Sequence, residues 1–282
     1  MKYIIVSDFF LEDFVGGAAL NDEEVLKIFE QEEEEITKVR SENVTLEFLE
    51  ENKDAFYIIS NFFSMPDDSL EKLKSLNYLL YAHDYKFVKH MNPAAYEEFK
   101  VPEEDLIHVE LHQKAKSVIC QSKLQEKIYQ DNIPNVNTVN FSGNLWSNEI
   151  FSLLEALSSK EKRPIVSVIK SRWHQKGVPE AIKFCMDENY DYDLVHDEDY
   201  SRFLWKLSEN QALAFYPLTP ETCSRIVLEC KMMNIKVFIT KMVGACHEPW
   251  FEKQGIELIS LLREKRKEIY KVIKDISNNA TQ

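Results

Sequence analysis

Between residues 212 and 240 the chain reads Ala212-Leu-Ala-Phe-Tyr216, then Glu221-Thr-Cys-Ser-Arg-Ile-Val-Leu-Glu229, then Lys236-Val-Phe-Ile-Thr240. The two short apolar runs predict strands, and the segment between them predicts a loop followed by a helix. If the helix begins near Ser224, its apolar side chains recur at helical spacing and share one face. The stretch therefore predicts a strand, a loop, a helix and a second strand.

Two carboxylates flank the start of this predicted helix. Glu221 lies in the loop before the first turn, and Glu229 borders the apolar face of the helix. Free backbone N–H groups and the helix dipole favour an anion at a helix N-terminus. Carboxylates beside such a site indicate recognition of hydroxyl groups next to a phosphate, as in a nucleotide sugar. The alternative is a solvated acidic pair near a helix start.

The same alternation of strands and helices extends over the first half of the chain. Strands are predicted over Tyr3–Val6, Phe56–Ile59, Tyr78–Tyr81, Ser117–Cys120 and Asn137–Asn140. Helical patterns lie near 22–35, 67–76, 103–114 and 122–130. Short apolar strands separated by helices imply parallel βαβ units with both sheet faces covered.

A polar stretch, Ser158-Ser-Lys-Glu-Lys-Arg-Pro164, follows a predicted helix over 149–157 and is typical of an interdomain linker. Further strands are predicted over 165–169, 192–196, 212–216 and 236–240, with helices near 179–188, 200–209 and 224–233. We therefore expect two Rossmann-like domains that face a cleft, residues 1–158 and 159–260, and a final helix in residues 261–282. Ligands of such sheets bind at the carboxyl ends of the strands.

The composition narrows the classes of partner. The 282 residues carry a formal net charge of −14, so neither nucleic acid nor an anionic membrane is expected as the main partner. Five cysteines without a CxxC pair do not form a disulfide or zinc framework, and the histidines lack metal-ligand spacing. With no charged leader and no apolar run long enough to span a bilayer, we expect a soluble protein of the cytoplasm.

A basic loop follows the first predicted strand of the second domain and reads Lys170-Ser-Arg172-Trp-His-Gln-Lys176-Gly177. Pro179 then fits the first turn of a helix, where a missing N–H group costs nothing. Two or three cations at the carboxyl end of a strand, next to a helix N-terminus, are suited to hold a diphosphate. The alternative is a basic surface loop.

Two weaker signals follow strands of the first domain. Gly16-Gly17 permits a close backbone approach to a ligand and equally an ordinary turn, and the GxGxxG fingerprint is absent. His83-Asp84 follows the strand Tyr78–Tyr81, where the histidine is placed to orient a substrate hydroxyl or to contact a sugar. The alternative is a structural histidine bonded to the backbone.

Taken together, these segments resemble the retaining GT-B glycosyltransferases of the "glycosyl transferases group 1" type. The matching segments are Met1–Phe10 with Gly16-Gly17, His83-Asp84, Ala115–Ser122, Arg172 with Lys176-Gly177, and Glu221 with Glu229 in E-x7-E spacing after Pro220. They cover nearly the whole chain in the family's order. The resemblance implies an α/β, GT-B-like fold of two Rossmann-like parallel-sheet domains facing a cleft.

The resemblance also implies roles for the matching residues. Arg172 and Lys176 bind the donor diphosphate, and Glu229 binds the ribose. Glu221 contacts the transferred sugar and, with His83, is a catalytic candidate. The remaining predicted donor contacts are Thr222, Cys223, Ser224, Gly16 and Gly17, although the glycine loop, like His83, lies on the acceptor side of the cleft.

The implied reaction moves a sugar from a nucleoside diphosphate sugar, a UDP-sugar by default, to an acceptor hydroxyl with retention and without a metal or other cofactor. The acceptor is a saccharide or a lipid-linked molecule. Departures from the family are a short donor domain, the loss of a glycine in Thr222-Cys-Ser224, and a short Arg172–Lys176 spacing, which leaves Lys170 or Ser171 to take the role of Arg172. They favour the alternative of a catalytically weak or inactive sugar-nucleotide-binding subunit that supports a partner enzyme. An epimerase on the same scaffold has no motif in its favour.

The final helix, predicted from about Leu261 to Ser277, is amphipathic and basic. Its apolar stripe consists of Leu262, Ile269, Val272, Ile273 and Ile276. Such a helix can lie on an anionic membrane, which would suit a lipid-linked acceptor. Packing onto the first domain is the favoured interpretation, because the final helix of the resembling family crosses back and an acidic chain offers it a complementary surface.

Overall fold

The computed structural model describes residues 1–279, which divide into two compact units. The first unit consists of Met1–Gln121, Glu126–Phe141 and the described chain from Lys265 onward. The second consists of Ser122–Gln125 and Ser142–Glu264.

The first unit is built on a parallel six-stranded sheet. Its strands are β1 (Tyr3–Ser7), β2 (Ile36–Arg40), β3 (Phe56–Ile59), β4 (Asn77–Tyr81), β5 (Val118–Cys120) and β6 (Thr138–Asn140). The order in the sheet is β2-β1-β3-β4-β5-β6. Its helices are α1 (Gly17–Gln31), α2 (Leu46–Glu51), α3 (Asp67–Leu73), α4 (Val109–Lys114) and α5 (Lys123–Asn132), whose first turn belongs to the second unit. Strands β1 and β3 are buried at every residue, as expected of parallel strands covered on both faces.

The second unit is built on a parallel four-stranded sheet. Its strands are β7 (Arg163–Ile169), β8 (Tyr192–Val195), β9 (Asn210–Phe215) and β10 (Lys236–Ile239), in the order β10-β9-β7-β8. Its helices are α6 (Asn148–Ser158), α7 (Val178–Asp187), α8 (Tyr200–Ser208), α9 (Arg225–Met232) and the first part of α10 (Gly255–Asn279). Helix α6 packs its buried side chains into the core of this unit, whereas the sequence analysis assigns residues up to 158 to the first domain.

Several elements differ from the sequence prediction. Strand β2 is not predicted, because it is an edge strand with half-buried or exposed side chains, and α2 is not predicted because it has only six residues. The helix predicted over 103–114 is shorter than expected: α4 begins at Val109, since His108 has a left-handed φ of 53°. Helix α10, in contrast, begins earlier than predicted, at Gly255.

From Lys265 onward, α10 packs on the first unit. Arg266 Nε donates to Glu24 Oε2 at 3.0 Å, and Ile269 and Ile273 of the predicted apolar stripe are fully buried. Burial of an isoleucine side chain contributes about 1.5–3 kcal/mol, so this part of the stripe is stabilised by packing within the protein. Within residues 1–279, no helix has the length and apolar character needed to cross a membrane.

Candidate functional site

The loops that follow β7 and β9 lie against each other at the carboxyl ends of these adjacent strands. Leu218 N donates to Gln175 O at 2.9 Å, which joins the two loops through their backbones. Gly177 has a φ of +62°, and a Cβ atom there would lie 1.7 Å from Tyr216 O. Only glycine fits this approach, so the glycine after Lys176 is required by the local fold.

The same pair of loops brings Lys176 and Glu221 together. Lys176 Nζ donates to Glu221 Oε1 at 2.7 Å, and the two side chains are 37% and 18% exposed. An ammonium has three donors and a carboxylate has two acceptor oxygens. The charges of Lys176 and Glu221 therefore neutralise each other. The ammonium still has further donors, and the carboxylate a second acceptor oxygen, for another partner.

The loop from Glu221 to Ser224 is held by the chain that follows β10. Glu221 N donates to Met242 O at 2.7 Å, and Gly244 N donates to Glu221 O at 2.9 Å. A Cβ atom on Gly244 would lie 2.3 Å from Thr222 O. The backbone of the loop is thus fixed from one side, which leaves the Glu221 side chain to pair with Lys176.

Ser224 immediately precedes α9 in an unusual conformation. Its φ of 76° and ψ of 92° lie outside the regions that non-glycine residues favour, and its side chain does not cap the helix. Backbone strain of this kind costs about 1–3 kcal/mol and clusters at functional sites. The Ser224 Oγ atom is buried and has no hydrogen-bond partner within residues 1–279. The N-terminus of α9 therefore lacks a side-chain cap.

Glu229, the second residue of the E-x7-E pattern, is almost fully buried on α9 and is held through one oxygen. Oε1 accepts from Trp146 Nε1 at 3.0 Å and from Tyr200 Oη at 2.6 Å. Arg225 Nε lies 3.6 Å from the same atom. These contacts all end on Oε1, and Oε2 is not among the fully buried side-chain atoms that lack a partner within residues 1–279. The carboxylate is thus anchored through Oε1, which leaves Oε2 for a further partner.

Arg172 is exposed and stacks on its neighbour. Its guanidinium lies 5.0 Å from the centre of the Trp173 ring, and both side chains line an open cavity of about 790 Å³ together with Val178 and Ile182 of α7. Arg172 makes no ion pair within residues 1–279. Its predicted action together with Lys176 on one diphosphate stays a prediction.

On the first unit, Gly16 and Gly17 begin α1. Gly16 is the N-cap residue with a φ of −137°, an extended conformation that any residue adopts. A Cβ atom there would lie 2.7 Å from the Phe14 ring, at the end of a side chain that can move. The backbone itself therefore does not require this diglycine. No side chain caps α1 either, which leaves N–H groups of its first turn for a ligand.

His83 lies just after β4, and both of its ring nitrogens have partners. Nδ1 lies 2.9 Å from Gln121 Nε2, and Nε2 lies 3.1 Å from Asp22 Oδ1. Because an amide nitrogen only donates, Nδ1 accepts and Nε2 carries the proton directed at Asp22. Asp22 also accepts from Ser60 at 2.6 Å, and the His83 side chain is only 5% exposed. Proton transfer by His83 would require it to give up Asp22 or Gln121.

The residues that hold Glu229 are not predicted from the sequence. Arg225 precedes Glu229 by four residues on one helix, a spacing that signals a side-chain pair. Trp146 and Tyr200 carry no such local signal, because they reach Glu229 from the segment before α6 and from the start of α8.

No protein-family model matches the chain, and no curated protein matches its sequence. Solved structures do match it over nearly its whole length. Anabaena HepE in complex with UDP and glucose has a TM-score of 0.55 and 12% identity, with 98% of this chain and 92% of that chain covered. An alpha-glucosyltransferase in complex with UDP and DNA has a TM-score of 0.53 and 12% identity, with 99% of each chain covered.

The chain has a GT-B-like fold. The comparison and the two parallel sheets confirm the predicted α/β class and the predicted resemblance to GT-B glycosyltransferases. At 12% identity the likeness concerns the fold, so the activity has to be argued from the residues of this chain.

Proposed function

We propose that this protein transfers a sugar from a nucleoside diphosphate sugar to an acceptor hydroxyl, with retention at the anomeric carbon and without a metal ion. One arrangement supports the proposal: the Lys176–Glu221 ion pair, the uncapped start of α9, and Glu229, which is anchored through Oε1. Cations and free backbone N–H groups recognise phosphate, and carboxylates accept sugar hydroxyls. HepE and the alpha-glucosyltransferase, which share the fold, were solved with UDP.

The difficult step is departure of the nucleoside diphosphate, which gains negative charge as the glycosidic bond breaks. Lys176 Nζ has donors beyond the one directed at Glu221, and the α9 N-terminus adds partial positive charge. Arg172, being exposed, would bind a further phosphate oxygen. Removal of one such preorganised donor costs about 3–4 kcal/mol in other enzymes.

The carboxylates divide the rest of the donor between them. Glu221 would accept a hydroxyl of the transferred sugar with the oxygen that Lys176 does not use, and Glu229 would accept the ribose hydroxyls. Thr222, Cys223 and Ser224 would shape the donor loop through their backbone. UDP-glucose is the first donor to test, because HepE has been solved with it.

The first unit would supply the acceptor side. Gly16 and Gly17 offer the uncapped start of α1 to a ligand, and His83, with both nitrogens engaged, would contact the acceptor through its ring. The acceptor is a saccharide or a lipid-linked alcohol. One alpha-glucosyltransferase structure contains DNA, but a net charge of −14 argues against nucleic acid as the acceptor of this chain.

A second candidate is a subunit that binds sugar nucleotides without catalysis and supports a partner enzyme. It is favoured by the Lys176–Glu221 pair, since each side chain already neutralises the other. It is also favoured by the four-stranded sheet of the second unit, which agrees with a reduced donor domain.

Ligand-induced stabilisation tests both candidates. A ligand at about 100 times its dissociation constant raises the free energy of unfolding by about 2.7 kcal/mol, so UDP and UDP-glucose should both raise the melting temperature. Glucose release from UDP-glucose then separates the enzyme from the binding subunit. Lys176→Ala should lose this release, and Lys127→Ala is its matched control, because Lys127 is an exposed lysine of α5 that pairs with Asp131. If no nucleotide sugar in a panel stabilises the protein, both candidates are wrong.

A further inference from the structure

We propose that Trp146 and Tyr200 are positioning residues that hold Glu229 through Oε1 and thereby aim Oε2 at the two neighbouring hydroxyls of a bound ribose. Their effect would be selection of ribonucleotides over deoxyribonucleotides. The inference rests on the proposed function and specifies the donor that the site accepts.

The geometry converges on a single atom. Trp146 Nε1 and Tyr200 Oη both donate to Glu229 Oε1, at 3.0 and 2.6 Å. Trp146 lies before α6, Tyr200 begins α8, and Glu229 is on α9. Three segments far apart in sequence therefore fix the orientation of one carboxylate.

The second oxygen of Glu229 is open to a ligand. The hydrogen bonds that Glu229 receives from residues 1–279 end on Oε1, and Arg225 Nε lies 3.6 Å from the same atom and offsets its charge. Oε2 is not among the fully buried side-chain atoms of these residues that lack a partner, so it keeps access to solvent although the residue as a whole is 2% exposed. A carboxylate held in this way presents to a bound molecule one oxygen that only accepts hydrogen bonds.

Arg225 stiffens the arrangement. Its Nη2 atom donates to Tyr200 Oη at 3.1 Å, and its guanidinium stacks 4.5 Å from the centre of the Trp146 ring. Its Nη1 atom donates to Leu145 O. Tyr200 thus accepts from a cation and donates to a carboxylate, an order in which each hydrogen bond strengthens the next.

The free oxygen suits a pair of hydroxyls. A carboxylate oxygen accepts two hydrogen bonds, so Oε2 can receive both ribose hydroxyls of a nucleotide. A 2′-deoxynucleotide loses one of them. With the carboxylate held in place, that loss is not recovered by rotation of the Glu229 side chain.

Calorimetric titration with UDP and 2′-deoxy-UDP tests the inference. The wild type should bind UDP about tenfold more tightly, as expected for one hydrogen bond to a charged group. Tyr200→Phe keeps the ring on Arg225 and removes only the hydroxyl, so the preference should fall towards one. Trp146→Phe removes the second donor and should do the same. Tyr190→Phe is the matched control, because Tyr190 packs against Phe184 and Phe238 in the same unit, and its variant should keep the preference.

The outcomes separate the inference from the proposed function. Equal affinity of the wild type for UDP and 2′-deoxy-UDP overturns the inference and leaves the proposed function standing. A preference that survives in both Tyr200→Phe and Trp146→Phe does the same, as does a preference lost also in Tyr190→Phe. A wild type that binds no nucleotide of a panel overturns both.

Glu229→Gln guards against a variant that fails to fold. The two donors would hold the amide by its carbonyl oxygen, which turns the NH₂ group towards the ribose in place of Oε2. We expect a folded variant whose melting temperature is lowered because Arg225 loses its counter-charge, and loss of the preference for UDP. A Glu229→Gln variant that folds and keeps the full preference would overturn the assignment of Oε2.

Discussion

His83 of the first unit lies just after β4, and Glu229 of the second lies on α9, the helix that follows β9. The two polar side chains differ in how many of their atoms are engaged by neighbouring residues. Both nitrogens of His83 are engaged, and Asp22 behind it is also bonded to Ser60. Glu229 is engaged at one oxygen only, and Ser224 at the start of the same helix has a buried hydroxyl without a partner within residues 1–279.

This difference separates two uses of buried polar groups. A network in which every atom has a partner stabilises the loops that it joins, because breaking it leaves groups unpaired in the interior. A network that is fixed on one side and open on the other is arranged for a ligand. The first description fits the surroundings of His83, and the second fits the start of α9.

The largest effect on stability is expected where the first unit is most completely packed. Ile273→Ala removes a fully buried side chain of α10 and should lower the free energy of unfolding by about 2–5 kcal/mol. Denaturant unfolding measures the loss, with Lys271→Ala at an exposed position of the same helix as the control. Unchanged stability together with weaker binding to anionic vesicles would mean that the helix is a membrane anchor.

The largest effect on activity is expected at the group of Lys176, Glu221, Ser224 and Glu229 around the start of α9, which we call the open network. Lys176→Ala removes a donor to the departing diphosphate and should raise the barrier to sugar transfer or donor hydrolysis by about 3–4 kcal/mol. Initial rates with UDP-glucose give this value, and Lys127→Ala, at an exposed lysine of α5, should match the wild type. Full activity of the Lys176→Ala variant would show that the Lys176–Glu221 ion pair is not part of the active site.

At Glu229, the contribution to stability and the contribution to nucleotide binding can be compared in one residue. Glu229→Ala leaves the Trp146 and Tyr200 donors unpaired and should cost about 1–3 kcal/mol of stability, besides weakening nucleotide binding. Glu229→Gln keeps an acceptor for both donors, so it should lose affinity for UDP with a smaller loss of stability, which comes from the missing counter-charge of Arg225. Melting temperatures and calorimetric affinities of both variants measure these effects. If the two variants lost stability and affinity for UDP by the same amounts, the separation of a structural role from a binding role at Glu229 would be wrong.

The smallest effect on activity is expected at the hydrogen-bonded group of His83, Asp22, Gln121 and Ser60, which we call the complete network. His83→Ala leaves Asp22 and Gln121 without one partner each, which should lower stability by about 1–3 kcal/mol and leave the affinity for UDP unchanged. Thermal unfolding and calorimetry measure both quantities. A variant with wild-type stability and a hundredfold slower transfer would instead support the catalytic role that the sequence predicts for His83.

The regular part of the fold could be predicted from the sequence because parallel strands are short, apolar and buried on both faces. Strand β3 has the predicted bounds, and β9 and α9 differ from theirs only at the ends. Strand β2 could not be predicted in the same way, since an edge strand such as Ile36–Arg40 needs few buried side chains.

The candidate site was predictable only in its residue types. Lys176 and Glu221 in loops after strands, with Glu229 on the helix that follows, indicate anion and hydroxyl recognition, and the structure joins Lys176 to Glu221. The burial of Glu229 and the tautomer of His83 depend on Trp146, Tyr200 and Gln121, which are distant in sequence. Such tertiary partners decide which polar atoms stay free, and no local pattern encodes them.

The central claim is that the open network at the start of α9 binds a nucleoside diphosphate for sugar transfer. The most direct measurement is calorimetric titration of UDP into the wild type and Lys176→Ala, with glucose release from UDP-glucose followed on the same samples. We expect the wild type to bind UDP and Lys176→Ala to bind it roughly tenfold or more weakly, as expected for loss of a charge-assisted hydrogen bond. We also expect Lys176→Ala to release almost no glucose. Absence of UDP binding in the wild type, or equal affinity and equal turnover in both proteins, would contradict the claim.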